Sequence, residues 1–329
     1  MARKANLYVG IDVGGTKILA ALAEPSGAIL GRRRSPTPRG GTPQDVLAAI
    51  ERLVEELLAE HGLQPAALEA IGLAVPGIVD DAKGRVVFTP NMNLSGLVIV
   101  PRLATRFGAA AALGNDVDLG TLGEAWLGAA QGARSVVGIF VGTGIGGGIL
   151  LDGRLVRGCR GAAGEIGHIV MQIDGPQCGC GNRGCLEALA SRTAIERDIR
   201  AAIEAGEGSV LAELTGGDLQ VIRSKVLKKA LNQGDPVVTR VMRRAAVYLG
   251  HACLTVRHIL DPEVIVLGGG VMEACGDFLM PIVEQVVASD ALPGARQGGR
   301  VVLSALGDDA VVLGAVALAK ERAGADRTV

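Results

Sequence analysis

Between Glu165 and Glu187 the chain gathers one histidine, three cysteines and two flanking glutamates: Glu165-Ile-Gly-His168, then Cys178-Gly-Cys180-Gly-Asn-Arg-Gly-Cys185-Leu-Glu187. Three thiolates and one imidazole are the donor set of tetrahedral zinc, and the intervening glycines let the backbone turn tightly around an ion. A disulfide is the competing reading, but an odd trio of cysteines leaves one thiol over in any pairing. Four protein ligands close the coordination sphere, so the expected role of zinc at His168, Cys178, Cys180 and Cys185 is structural. The metal clip would then fix the direction in which Glu165 and Glu187 point.

Two glycine clusters offer a second kind of chemistry. The first follows the apolar run Leu7–Ile11 and reads Asp12-Val-Gly14-Gly15-Thr16-Lys17 before another apolar run, Ile18–Ala23. The second follows Val136–Val141 and reads Gly142-Thr143-Gly144-Ile-Gly-Gly-Gly148 before Ile149-Leu-Leu151. Gly142, Gly144 and Gly147 satisfy the dinucleotide pattern G-x-G-x-x-G, but that fingerprint needs a helix to open at the glycines. Here the chain continues as a strand, turns at Asp152-Gly153 and returns, which is a hairpin signature. Glycine hairpins still cradle phosphate oxygens through bare N–H groups. A third cluster, Gly268-Gly269-Gly270, ends the apolar run Val264–Leu267 and leaves room for a flat ring or a ribose.

The elements that must position these groups follow from the patterning. Two copies of strand, glycine hairpin and strand imply two related lobes. Thr42-Pro-Gln-Asp45 caps a helix whose stripe is Val46, Leu47, Ile50, Leu53, Val54, Leu57 and Leu58, stopped by Gly62. Ile71–Val75 and Val86–Phe88 read as strands, and Ala110–Leu113 delivers Gly114-Asn115-Asp116 at its carboxyl end, where α/β sheets place ligands. Asp235-Pro236 opens a long helix to about Leu260, on which His251 and His258 lack metal-ligand neighbours. A final helix runs from about Asp309 to Arg322.

A chain of 329 residues with 49% hydrophobic content has ample material for one large or two medium globular domains. A formal net charge of −1 provides no electrostatic footprint for nucleic acid or for an anionic membrane. The sequence offers no signal-peptide core and no span of bilayer length, so a cytoplasmic location with reduced thiols is expected. Cys159, Cys253 and Cys275 are expected to be small buried hydrophobes. The basic run Arg32-Arg33-Arg34 is expected on a solvated strand edge.

Taken together and in this order, Asp12-Val-Gly-Gly-Thr16-Lys17, Val75-Pro-Gly77, Asn115-Asp116, Gly142-Thr-Gly144, Glu165-x-Gly-His168 and Cys178-x-Cys180-Gly-x-x-Gly-Cys185-x-Glu187 resemble the ROK family of bacterial sugar kinases, most closely its ATP-dependent glucokinases. The resemblance runs nearly the full length. It implies a two-lobed, actin-like (ribonuclease-H-like) α/β ATPase fold with an interdomain cleft and a zinc-binding loop. The lobes expected on that basis are 1–114 plus 309–329 and 115–308.

The same resemblance implies phosphorylation of glucose at its 6-hydroxyl, with Asp116 as general base. It implies a sugar set of Gly77, Asn115, Asp116, Glu165, His168 and Glu187, joined by Asn91 or Asn93. ATP is expected against Asp12, Gly14, Gly15, Thr16, Lys17, Thr143 and Gly144, with Gly268, Gly269 and Gly270 as the third cluster, and Asp12 helping to hold Mg²⁺. The family also implies a homodimer or homotetramer. Two departures stand out: the segment Asn91–Leu97 is longer than the family's Pro-Asn-Leu stretch and lacks its common tryptophan, and Asp118 stands where asparagine is frequent. The alternatives are a kinase for another hexose or N-acetylhexosamine (mannose, fructose, N-acetylglucosamine, N-acetylmannosamine) and, more remotely, a sugar-sensing regulator. Regulators of the family add an N-terminal helix-turn-helix, for which the stretch before Asp12 leaves no room.

Overall fold

The computed structural model describes residues 6–38, 40–89, 92–292 and 298–324. The chain falls into two compact units, 1–134 with 148–163 and 308–329, and 135–147 with 164–307. In the first unit, β1 (Leu7–Val13), β2 (Lys17–Ala23) and β3 (Ile29–Pro36) form an antiparallel meander. The helix α1 (Pro43–Glu60) follows; its apolar stripe is buried, and Thr42 with Asp45 makes the capping box that starts it. Next come β4 (Leu68–Val75), the small hairpin β5 (Ile78–Asp80) and β6 (Arg85–Phe88), α2 (Val100–Phe107), β7 (Ala110–Asn115) and α3 (Asp116–Leu127). The sheet order is β3-β2-β1-β4-β7, with β4 and β7 parallel to β1. As a sheet edge, β3 alternates half-buried and exposed residues, and Arg32 and Arg33 pair with Asp309 and Glu56, so the basic run is the solvated edge expected of it.

The second sheet is built from β8 (Val136–Val141), β9 (Ile145–Leu151), β10 (Arg154–Leu155), and later β11 (Val264–Gly268) and β12 (Arg300–Leu303), in the order β10-β9-β8-β11-β12. The order is that of the first sheet repeated. Between β10 and β11 run α4 (Leu186–Ala190), α5 (Arg192–Glu204), α6 (Leu211–Leu214), α7 (Ser224–Asn232) and α8 (Pro236–Leu260), and α9 (Gly270–Ala288) leads to β12. The long helix α8 has the expected bounds, with Asp235 Oδ1 accepting from Val238 N–H at 2.8 Å as its cap. His258 Nε2–H donates to Asp290 Oδ2 at 2.8 Å, so this is a satisfied structural histidine. Cys253 and Cys275 are buried as expected, whereas Cys159 is exposed; it lies in a glycine-flanked loop with no apolar layer to cover it. No described helix is long and apolar enough to cross a membrane.

The chain then returns to the first unit as α10 (Ala310–Arg322), and this return explains where the unit boundary falls. A lobe beginning at residue 115 would detach α3, but α3 packs against α10 and belongs with the first unit through Arg134. The packing is tight because glycines remove the side chains in the way. A Cβ on Gly123 of α3 would meet Ala310 O at 2.1 Å, and one on Gly314 of α10 would meet Leu119 O at 1.7 Å. Gly10 of β1 and Gly72 of β4 likewise admit the backbone of α10, at Val312 O and Ala315 O. Gly314→Ala is therefore expected to wedge α10 from α3 and cost about 1–3 kcal/mol, seen as a lowered thermal midpoint. An unchanged midpoint would mean that the two helices have slack here.

Candidate functional site

In the first unit the residues of interest converge from the ends of β1 and β7. The β1–β2 hairpin is closed by Gly14 N–H donating to Lys17 O at 2.9 Å, and Thr37 fastens it from the side through Thr37 Oγ1 to Gly14 O at 2.6 Å. No hydrogen bond among the described residues uses the N–H groups of Gly15 and Thr16. A Cβ on Gly15 would meet nothing within 4 Å, so the packing of the protein does not require glycine there. Both observations suit a loop that a phosphate approaches closely.

Asn115 ends β7 and caps α3: its Oδ1 accepts from Val117 N–H and Asp118 N–H at 2.8 and 3.1 Å, and its Nδ2 donates to Gly77 O at 2.9 Å. Gly77 has φ +94, and a Cβ there would strike Phe88 O at 2.2 Å, so glycine is required on both counts. Asp116, the first residue of α3, is half-buried, and its carboxyl is raised above the ordinary range by burial, against the lowering effect of bonds from Val117 N–H and the Asn115 side chain. Asp12 is pushed up to about 7, first by burial and then by the charge of Asp116. Lys17 works in the opposite direction, and Asp308 adds to the rise. Lys17 Nζ lies 3.5 Å from Asp308 Oδ2, an exposed pair at the turn before α10.

Of the asparagines in the 91–97 segment, Asn91 lies outside the described residues. Asn93 is exposed, and its Nδ2 donates to Gly41 O at 2.9 Å. Asp308 and Thr37 escaped the sequence reading because each acts across a long sequence separation. The acidic pair Asp308-Asp309 before an apolar helix was the available signal.

In the second unit the β8–β9 hairpin repeats the design of the first. Gly142 N–H donates to Gly144 O at 2.9 Å, and no hydrogen bond among the described residues uses the N–H groups of Thr143 and Gly144. Glu187, in the first turn of α4, fastens the outgoing strand, its Oε2 accepting from Ile145 N–H at 2.9 Å. The third glycine cluster opens α9, so β11 runs through it into a helix N-terminus. Gly268 is buried against the Phe140 ring. Gly269 has φ +84 and lies against the backbone of Val141. Gly270 is exposed, with nothing within 4 Å of a built Cβ. The structural demand thus falls on Gly268 and Gly269, and Gly270 is the one open to a ligand.

The donor atoms of His168, Cys178, Cys180 and Cys185 all lie within 4.8 Å of one another. Cys178 Sγ is 3.7 Å from His168 Nδ1 and Cys180 Sγ is 3.8 Å from Cys185 Sγ. A tetrahedron with metal–sulfur bonds of about 2.3 Å has edges of about 3.8 Å, and a disulfide would bring two sulfurs to about 2.05 Å. The four donors therefore fit a tetrahedral zinc ion and exclude a bridge. Gly184 sets the loop: its φ is +71, and a Cβ would overlap Gln172 O at 1.7 Å. Burial pushes the Cys178 thiol up to about 12 and raises Cys185, while the backbone N–H of Asn182 holds Cys180 down. With Nδ1 facing the sulfurs, His168 turns Nε2 towards Glu165 Oε2, 3.9 Å away. Glu187 Oε1 is 3.7 Å from Cys178 Sγ, so the metal loop and the glycine hairpin share one carboxylate.

A family model described as ROK family matches residues 8–322 of the chain. A glucokinase of Thermotoga maritima is 35% identical over 317 residues, covering 96% of this chain and 98% of that protein. The crystal structure of a ROK family glucokinase from Streptomyces griseus in complex with glucose and AMPPNP superposes with a TM-score of 0.82 at 32% identity, covering 96% of this chain and 100% of that one. A ROK family transcriptional regulator, described as a homologue of the E. coli MLC protein, superposes with a TM-score of 0.86 at 30% identity, covering 97% of this chain and 78% of that one.

Proposed function

The chain belongs to the ROK family, whose fold is actin-like, and on that premise we propose that it is an ATP-dependent glucokinase that phosphorylates the 6-hydroxyl of glucose. The observation that carries the reading is the pair of hairpins, each closed by its first glycine and each leaving two successive N–H groups for an anion. The nearby raised carboxyls of Asp12 and Asp116 and the glucokinase relatives support it.

In this reading Asp116 takes the proton from the sugar hydroxyl as it attacks the γ-phosphorus. Its raised pKa brings it closer to the operating range of a base at neutral pH. The N–H groups of Gly15 and Thr16 in the first unit, and those of Thr143 and Gly144 in the second, would each offset charge on phosphate oxygens. Asp12 would hold Mg²⁺, which when bound offsets phosphate charge. Asn115, Glu165, His168 and Glu187 offer paired donors and acceptors to the sugar hydroxyls. Zn²⁺ would be held by His168, Cys178, Cys180 and Cys185, fixing the ring of His168 and the approach of Glu187. A homodimer in the cytoplasm completes the proposal; Val170, Ile173 and Ile259 of the second unit are exposed apolar side chains that a second copy would cover.

The test is ADP release over a panel of hexoses and N-acetylhexosamines. Turnover of glucose above the other sugars supports the reading; turnover confined to an acetylated amino sugar, mannose or fructose replaces it with a kinase of that sugar. The likeness to a transcriptional regulator favours one further reading, a sugar sensor, whose sign is sugar binding without ADP release.

Asp12 also sets a pH dependence. Its folded pKa is raised from 3.8 to about 7, so the protein free of divalent cation loses stability as pH rises through that window, where the folded carboxyl stays protonated longer than the unfolded one. Cation binding needs the ionised form. The apparent Mg²⁺ requirement is therefore expected to rise by up to about tenfold per unit as pH falls below about 7, measured from ADP release against Mg²⁺ at several pH values. A requirement that stays flat from pH 8 to 5 would exclude Asp12 as a ligand.

A further inference from the structure

The second hairpin is held from one side by the first two residues of α5, which none of the assignments above includes. Arg192 N–H donates to Gly142 O at 2.9 Å, Arg192 Nη2 to Thr143 Oγ1 at 2.8 Å, and Thr193 Oγ1 to Thr143 O at 2.8 Å. With Gly144 O already accepting from Gly142 N–H, every oxygen of Gly142-Thr143-Gly144 is engaged. A turn whose own oxygens are all tied back and whose Thr143 and Gly144 N–H groups are open can receive an anion; on its Gly144 side lies Glu187 Oε2, held by Ile145 N–H.

Arg192 adds a full charge beside that turn, and its place is fixed by a buried carboxylate. Arg192 Nε lies 3.2 Å from Glu196 Oε1, one helical turn along, as an ion pair that is not aligned as a hydrogen bond. Glu196 is buried and also faces Arg200 Nη1 at 3.9 Å. Glu196 is therefore shared between two guanidinium groups, Arg192 in the first turn of α5 and Arg200 two turns further along. Ser191 caps this helix, its Oγ accepting from Ala194 N–H at 3.1 Å, and the N-terminus of the 13-residue helix adds its partial positive charge beside Arg192.

We infer that Arg192 is a phosphate-binding residue of the second hairpin, reading the polyphosphate chain of a nucleoside triphosphate with a guanidinium that Glu196 positions. The inference rests on the donor reading proposed above and adds a residue to it. A guanidinium fork matches phosphate oxygens in pairs, which an ammonium does not.

The experiment compares wild type, Arg192→Ala, Arg192→Lys and Glu196→Gln in three readouts: KM for ATP against KM for glucose, titration calorimetry with inorganic tripolyphosphate, and the thermal midpoint. Arg192→Ala is expected to raise KM for ATP and the tripolyphosphate Kd by about tenfold or more, with KM for glucose within about twofold. Arg192→Lys should recover part of the loss, and Glu196→Gln should shift the same two constants less and in the same direction. Wild type that turns over ATP while Arg192→Ala keeps both constants overturns the inference and leaves the kinase reading intact. A parallel rise in both KM values with a lower midpoint and no lysine rescue also overturns it, since a scaffold residue behaves so. Wild type that releases no ADP yet binds tripolyphosphate through Arg192 overturns the kinase reading and keeps the phosphate site; wild type that binds no tripolyphosphate removes the site.

Discussion

Asp116→Asn is expected to lower kcat for sugar phosphorylation by about 10²–10⁴-fold, with KM for both substrates changed only a few-fold. The substitution is nearly isosteric, and an asparagine Oδ1 keeps the bond that Asp116 Oδ1 accepts from Val117 N–H at 3.0 Å. The start of α3 is capped by Asn115 rather than by Asp116, so helix and fold are preserved. What disappears is the group able to take a proton. The same change removes one of the charges that raise Asp12, whose pKa falls in consequence, and the acid limb of the Mg²⁺ dependence moves to lower pH. Steady-state kinetics at saturating ATP and sugar measures the first effect, and the Mg²⁺ series the second. A kcat reduced by less than about tenfold would place the base elsewhere.

Much of this arrangement was legible in the chain because it is local. The turn chemistry of Thr42-Pro-Gln-Asp45 and Asp235-Pro236 marked the starts of α1 and α8 to the residue, and continuous apolar runs on either side of glycines announced both hairpins. The candidate metal site was legible because its four donor residues lie within eighteen positions. What escaped was set by contacts between distant segments. The last helix seats on β1, β4 and α3 through Gly10, Gly72, Gly123 and Gly314, and no periodicity in residues 116–134 reveals that they belong with a helix almost two hundred positions later. Thr37, Asp308 and Arg192 were missed for the same reason: each acts on a hairpin from an element whose own pattern is ordinary. The helix opening at Gly270 was hidden because glycine is a poor helix former, and only the backbone geometry after β11 reveals the turn.

The loop from Glu165 to Glu187 holds little regular secondary structure, a single 3₁₀ turn and isolated bridges such as Val170 with Cys185, so an ion at its four donors would add to its stability. Between Ile166 and Leu186, which are buried at its two ends, the buried apolar groups are the sulfurs of Cys178 and Cys185, packed with Ala188 of α4, and the backbone is tied by bonds such as Cys178 N–H to Asn182 O and Gly184 N–H to Pro176 O. Three sulfurs and an imidazole nitrogen within 4.8 Å of one another would gain a common partner in a cation, and structural zinc supplies folding energy on the order of 10 kcal/mol. Elemental analysis is expected to find about one zinc ion per chain, lost on Cys185→Ser or on prolonged chelation. Freed of the ion, His168 loses the partner that fixes its Nδ1, and Glu187 loses the neighbour that aims Oε1, while its Oε2 remains on Ile145 N–H. The hairpin would therefore persist while His168 and Glu187 Oε1, assigned to the sugar in the proposal, lose their fixed positions. KM for glucose should rise by at least about tenfold and the thermal midpoint should fall by several degrees, while nucleotide affinity changes far less. Zinc-free protein with the same KM for glucose would detach the metal loop from sugar binding, and equal damage to both substrates would mean that the loop supports the whole second unit rather than one face of the site.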